Sequence, residues 1–275
     1  MNLLRAWIDN TRMGVMLAFR DRQAIFWTYV FPIFFLFLFC SVFARGQAEM
    51  VGTFLPGLLC ISMMSAGLFG MSGALVSMRE RGILRRYSLA PIGPWMILTS
   101  QLAASLIISF STLLMQLALA RLIYKARIAG SPAAILGMLA VSSLAFLAIG
   151  FVVASVAENM KTAQVLGNML FFPLMFLGGA AFPLQFLPPK LRELSRLLPS
   201  NYVVDGLHRV MKDGEGLLGA NLRNLGVLLL SVAISLLLAA KLFRWDAREP
   251  MPWRQKAWAA AVALLFVGAG LFVRR

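Results

Sequence analysis

Histidine is nearly absent from this chain: His208 is the only one in 275 residues. A His-based zinc site or a His-centred catalytic triad therefore has too few parts. Cysteine is almost as scarce. Cys40 and Cys60 fall inside long apolar runs, so they read as packing residues rather than as a disulfide framework. Charged residues make up 13% of the chain, and only 11 of them are acidic. No Asp or Glu lies in the middle of an apolar run. Ion-coupled carriers commonly place ionisable side chains there, so that reading loses its usual signature, although backbone carbonyls can bind sodium instead. No Gly-x-x-x-x-Gly-Lys-Ser/Thr phosphate loop occurs, so the chain does not hydrolyse ATP by that route. A membrane-embedded lipid-processing enzyme would have to draw its catalytic groups from the few acids after the fifth apolar run.

What the chain has is hydrophobicity. Apolar residues make up 60% of it, and the mean hydropathy is +0.80. This excludes an ordinary soluble domain and predicts an all-α polytopic membrane protein. The net charge of +15 comes from basic residues clustered beside apolar runs. Anionic lipid headgroups suit that arrangement better than nucleic acid does. The sixteen methionines are scattered without a Met-x-x-Met repeat, as expected for fillers of irregular helix contacts rather than soft-metal ligands.

Residues 2–22 read as an amphipathic helix lying in the interface, with Leu4, Trp7, Ile8, Val15 and Phe19 on one face. A cleavable signal peptide is the rival reading, but the leader is long and the following run can span. Six runs then predict spans at about 24–44, 51–76, 94–123, 133–157, 165–184 and 217–242. Pro32 is a candidate kink in the first. Small residues in the second, Gly57, Gly67, Gly70 and Gly73 among them, allow close helix approach. A polar linker leads to a seventh run, 257–273, flanked by Trp253 and Trp258 at one end and Arg274-Arg275 at the other. It predicts an extra C-terminal span, so the chain divides at about residue 245.

Between the second and third runs lies a charged island, Arg79-Glu80-Arg81-Gly82-Ile83-Leu84-Arg85-Arg86, closed by Leu89-Ala90-Pro91. Ser77 and Glu80 have capping-box spacing, which predicts a helix starting at Ser77 and stopping before Pro91. On composition alone it is either an arginine anchor at the headgroups or a helix against which a partner docks. Its Glu80, Gly82, Leu84 and Pro91 resemble the cytoplasmic coupling-helix segment of type-2 ABC transporter permeases, the membrane subunits of drug-resistance, nodulation-factor and polysaccharide exporters. Members of that family carry two short re-entrant helices on the outer side after the fifth span. The pattern falls here on Pro183, Leu198, Pro199, Tyr202 and Asp205. The resemblance covers roughly the first 245 residues.

It implies a permease subunit of an exporter for an amphiphilic or lipid-like substrate in the inner (cytoplasmic) membrane. The permease would pair with a second copy and have no cofactor of its own. ATP and Mg would be bound by a separate ABC ATPase subunit, contacted through Arg79, Glu80, Arg81, Gly82, Leu84, Arg85 and Arg86. Basic residues favour a cytoplasmic N-terminus once the 184–212 link is set aside, although the patch Arg121, Lys125 and Arg127 argues the other way.

Overall fold

A computed structural model describes residues 3–42, 47–88, 94–182, 188–219 and 221–242. These residues form helices and turns, with no strand among them. The extra run 257–273 lies outside the described residues, as do Pro91 and Pro183.

Helix α1 is Leu3–Arg20. It lies along the start of α5 (Pro94–Leu122), with Gly14 against Ala104 and Trp7 Nε1 donating to Thr99 Oγ1 at 3.1 Å. Helix α2 runs through Arg22–Ile25, a π-helical turn Phe26–Val30, and Phe31–Val42. The π turn precedes Pro32, which has no N–H for the carbonyl four residues back. The kink expected at Pro32 is thus absorbed by a widened turn. Helix α3 is continuous over Ala48–Glu80, with a second π-helical turn at Ala66–Met71. The short α4 is Ile83–Ser88, α6 is Pro132–Val156, and α7 is Met160–Leu177. Two short helices follow, α8 (Pro189–Ser195) and α9 (Pro199–Met211), before α10, Leu222–Leu242. Among the described residues five helices (α3, α5, α6, α7 and α10) are long and apolar enough to cross a membrane, and Phe26–Val42 is a shorter apolar helix.

Helices α3 and α6 are the most enclosed of the five, and they cross backbone to backbone. A Cβ on Gly150 would fall inside the Gly67 carbonyl oxygen, and a Cβ on Gly67 would fall inside that of Phe146. With no side chain at either position the two backbones touch, the small-residue packing that holds helices together in lipid. The Gly67 side of the crossing lies in the π turn of α3. Next to it Trp27 stacks on Phe69 at 4.3 Å, and Phe69 meets Phe171 at 5.4 Å, binding α2 and α7 to the same point.

Three polar side chains within the bundle are satisfied by neighbouring helices, as an apolar medium favours. Gln116 Nε2 donates to the Pro32 carbonyl at 3.0 Å, and Ser62 Oγ bonds Gln116 Oε1 at 2.6 Å. The Ser65 hydroxyl donates to the Trp27 carbonyl.

Several boundaries differ from the periodicity reading, each for a local reason. Helix α3 does not stop near residue 76; its buried face continues through Leu75, Val76 and Arg79. The fifth span starts at Met160 rather than 165, because Asn159 Oδ1 accepts from Thr162 N at 2.8 Å and caps it. It ends at Gly178, where a Cβ would strike the Ser200 side chain. The sixth starts at Leu222 rather than 217. The intervening chain turns at Gly219 (φ +96°), and Asn221 Nδ2 donates to the Gly216 carbonyl at 3.0 Å.

Helix α9 slants into the bundle. At its start the Ser200 carbonyl meets Cys60 Sγ, twelve residues and so about 18 Å along α3 from Ala48. At its end the Met211 carbonyl accepts from Ala129 N at 2.8 Å, just before α6 begins. Residues 188–212 and the 79–86 segment therefore lie toward opposite ends of α3.

Candidate coupling site

Helix α3 has 33 residues and is about 50 Å long, against a hydrocarbon core of about 30 Å. Its last turns, with α4 behind them, are the part most able to stand clear of lipid. The capping box expected at Ser77 does not form. Ser77 lies inside α3, its carbonyl accepting from Arg81 N at 3.0 Å. Extending a helix whose apolar face is still being buried costs less than nucleating a new one. The break comes instead at Arg81-Gly82, where Gly82 takes φ +69°. Nothing crowds its Cβ direction, so the backbone conformation alone calls for glycine.

Arg79 faces inward. It is 5% exposed, its Nη1 donates to the Ala154 carbonyl at 3.0 Å, and its Nη2 donates to the Ala157 carbonyl. Those carbonyls end α6, so a cation satisfies the negative pole of that helix. The neighbouring Glu80 does the converse. Its Oε1 accepts from Met160 N at 3.0 Å, placing a carboxylate on the first N–H of α7. Two consecutive residues thus fasten the end of α3 to both sides of the α6–α7 turn. The sequence reading offered Arg79 and Glu80 to a partner. The structure gives Arg79 wholly, and Glu80 in part, to their own chain.

Arg81, Arg85 and Arg86 are exposed. Leu84 is 1% exposed and anchors α4 to the bundle, so the short helix carries its arginines on its outer side. Glu158 and Lys161, also exposed, share this end. The sequence reading placed a link between the fourth and fifth spans here but not the helix start at Asn159-x-x-Thr162, which is a readable signal.

At the other end, Pro199 is buried in the first turn of α9, and Tyr202 Oη donates to the Arg196 carbonyl at 2.7 Å. Asp205 Oδ2 accepts from Arg209 Nε at 2.8 Å and from Asn224 Nδ2 at 2.9 Å, joining α9 to α10. Tyr202 and Asp205 therefore hold the link in place.

His208 lies toward the end of α9, beside a cavity of ≈ 180 Å³ lined also by Thr53, Phe54, Asn201 and Asp205. Burial lowers its pKa first and Lys212 second, against opposing pulls from Asp213 and Asp205. The unfolded chain then binds more protons than the folded one below the ordinary value of about 6.5, so stability is full above that value and falls as pH drops through it. Thermal melting is expected to lose more between pH 7.5 and 5 in the wild type than in His208→Gln; equal losses would remove His208 from that dependence.

The family model described as "ABC-2 type transporter" matches residues 7–211, from within α1 to the end of α9. Nodulation protein J of Rhizobium leguminosarum bv. viciae is 28% identical over 109 residues, which are 40% of this chain and 41% of that protein.

Proposed function

The chain belongs to the ABC-2 type transporter family, and from that premise we propose that this multi-pass membrane subunit is the permease of an ATP-driven exporter of amphiphilic cargo. A separate ATPase subunit binds ATP and Mg and docks on α4 through Arg85 and Arg86. Two permease copies pair in the inner membrane, with the 79–86 end cytoplasmic and α8–α9 outside. The observation that carries the reading is the exposed arginine helix α4, joined through Gly82 to a helix end that is itself fastened to α6 and α7. A push on α4 by a closing ATPase dimer would reach α3, α6 and α7 together. Guanidiniums donate well to carboxylates on such a partner.

The test is the double charge reversal Arg85→Glu with Arg86→Glu. Losing a desolvated interfacial charge contact costs about 2–5 kcal/mol. The variant is expected to insert and melt like the wild type, yet to retain its ATPase partner at least tenfold less well in co-purification and to lose export with it. Full ATP-dependent export in reconstituted vesicles would overturn the docking role. Export by the wild-type chain alone on an ion gradient would overturn the whole reading in favour of secondary transport.

A further inference from the structure

At the same end of the bundle as the Arg79–Glu80 fastening, a cavity of ≈ 410 Å³ opens between the α1–α2 junction, the π turn and last turns of α3, and α5. Its rim and its floor differ in chemistry. Arg20 and Arg22 line it from the junction and Arg81 from the turn after α3, all three exposed. No carboxylate among the described residues forms an ion pair with any of the three. The single acid in the lining, Asp21, has its Oδ1 accepting from Gln23 N at 2.9 Å. The less exposed part of the lining is mainly small or apolar, with Gly70, Met71 and Ala74 of α3 and Ile108 of α5, and Thr28, Ser77, Gln101 and Ser105 add hydroxyl and amide groups.

Three cations against one anion, over a floor of small and apolar side chains, match a particular kind of guest. A bare anion would leave the apolar floor wet, and an uncharged chain would leave the guanidiniums without partners. Arginine forks suit phosphate oxygens, which they can hold with two parallel hydrogen bonds. The volume falls in the range of sites that enclose small ligands. We propose that this cavity binds an anionic phosphodiester headgroup, with the first carbons of its chain, taken from the lipid leaflet at this end of the bundle. The rim and floor fix the polarity of binding, with the phosphate between Arg20, Arg22 and Arg81 and the glycerol and chain toward Met71 and Ile108. Arg81 and Ile83 both border the cavity, so its occupant touches the turn that carries α4. Its test does not depend on export.

The experiment uses the full chain in detergent, titrated with phosphatidylglycerol and with phosphatidylcholine and read by native mass spectrometry. Wild type is expected to hold one phosphatidylglycerol about tenfold more tightly than phosphatidylcholine, as a cluster of surface arginines implies. Arg20→Gln with Arg22→Gln should erase that preference, whereas Arg5→Gln with Arg12→Gln, the same charge removed from elsewhere on α1, should keep it. Gly70→Leu fills the cavity without striking backbone, since its Cβ meets only Thr28 Oγ1 at 3.4 Å, and should abolish retention of the one tight lipid. Three results would each overturn the proposal. One is equal loss in the two arginine pairs, which would mean diffuse charge attraction. The second is undiminished retention in Gly70→Leu. The third is displacement of the lipid by glycerol 3-phosphate at equal concentration, which would make the guest a soluble anion.

Discussion

Alanine at Gly150 is expected to destabilise the protein strongly. The added carbon would overlap the Gly67 carbonyl oxygen, which is backbone on the facing helix and cannot rotate away. Relief requires α3 and α6 to separate along the crossing. Overpacking of this kind typically costs about 1–3 kcal/mol, and a backbone-to-backbone clash belongs at the top of that range or above it. At about 2–4 °C per kcal/mol for a chain of this size, the melting midpoint in detergent should fall by roughly 6–12 °C. The control is Gly226→Ala on α10. Its added Cβ meets nothing within 4 Å, so it removes only the helix penalty of glycine. That variant should melt at or slightly above the wild type. If the two variants melt together, the Gly67–Gly150 contact is not what holds α3 against α6.

The crossing also marks how far the sequence could be read. Apolar runs reveal spans because burial in lipid is decided by composition over twenty residues, and α3, α5, α6, α7 and α10 all fall on predicted runs. Which glycine of α3 touches another helix is a matter of register. Gly57, Gly67, Gly70 and Gly73 look alike in sequence, but Gly57 meets the Ala180 carbonyl, Gly67 meets α6, and Gly70 faces a cavity. The π turns at Phe26–Val30 and Ala66–Met71 shift that register again, and nothing in the residue types announces the second of them.

The charged island was partly legible. Its position at the end of the second span was readable locally, whereas the break at Gly82 was not, because one helix was expected from Ser77 to before Pro91. The Ser77 start was not, because Ser-x-x-Glu also occurs inside a helix whose buried face continues. Arg79 is the plainest case. An arginine beside a span resembles a headgroup anchor, and only the arrival of the α6 terminus, 75 residues later in sequence, makes it an internal cap.

Arg79→Ala is accordingly expected to act through the fold of the permease rather than through its partner. Removing the guanidinium leaves the Ala154 and Ala157 carbonyls without the donors they have in the wild type, at the closed end of α6. Hydrogen bonds to charged groups are worth about 1.5–3 kcal/mol each, and the arginine stem also fills space between α3 and the α6–α7 turn. A loss of about 3 kcal/mol is the expected order, or roughly 6–12 °C in melting midpoint. Arg79→Lys should recover only part of it, because a single ammonium is a point donor and lacks the fork that reaches two carbonyls. The exposed pair Arg85→Glu with Arg86→Glu should change stability by no more than about 0.5 kcal/mol while losing the ATPase. The two outcomes separate fastening from docking: Arg79→Ala lowers the melting midpoint and keeps the ATPase while folded, and the α4 reversal does the opposite. An Arg79→Ala chain that melts like the wild type but no longer holds the ATPase would turn Arg79 outward, and α3 would then have to transmit force without its tie to α6.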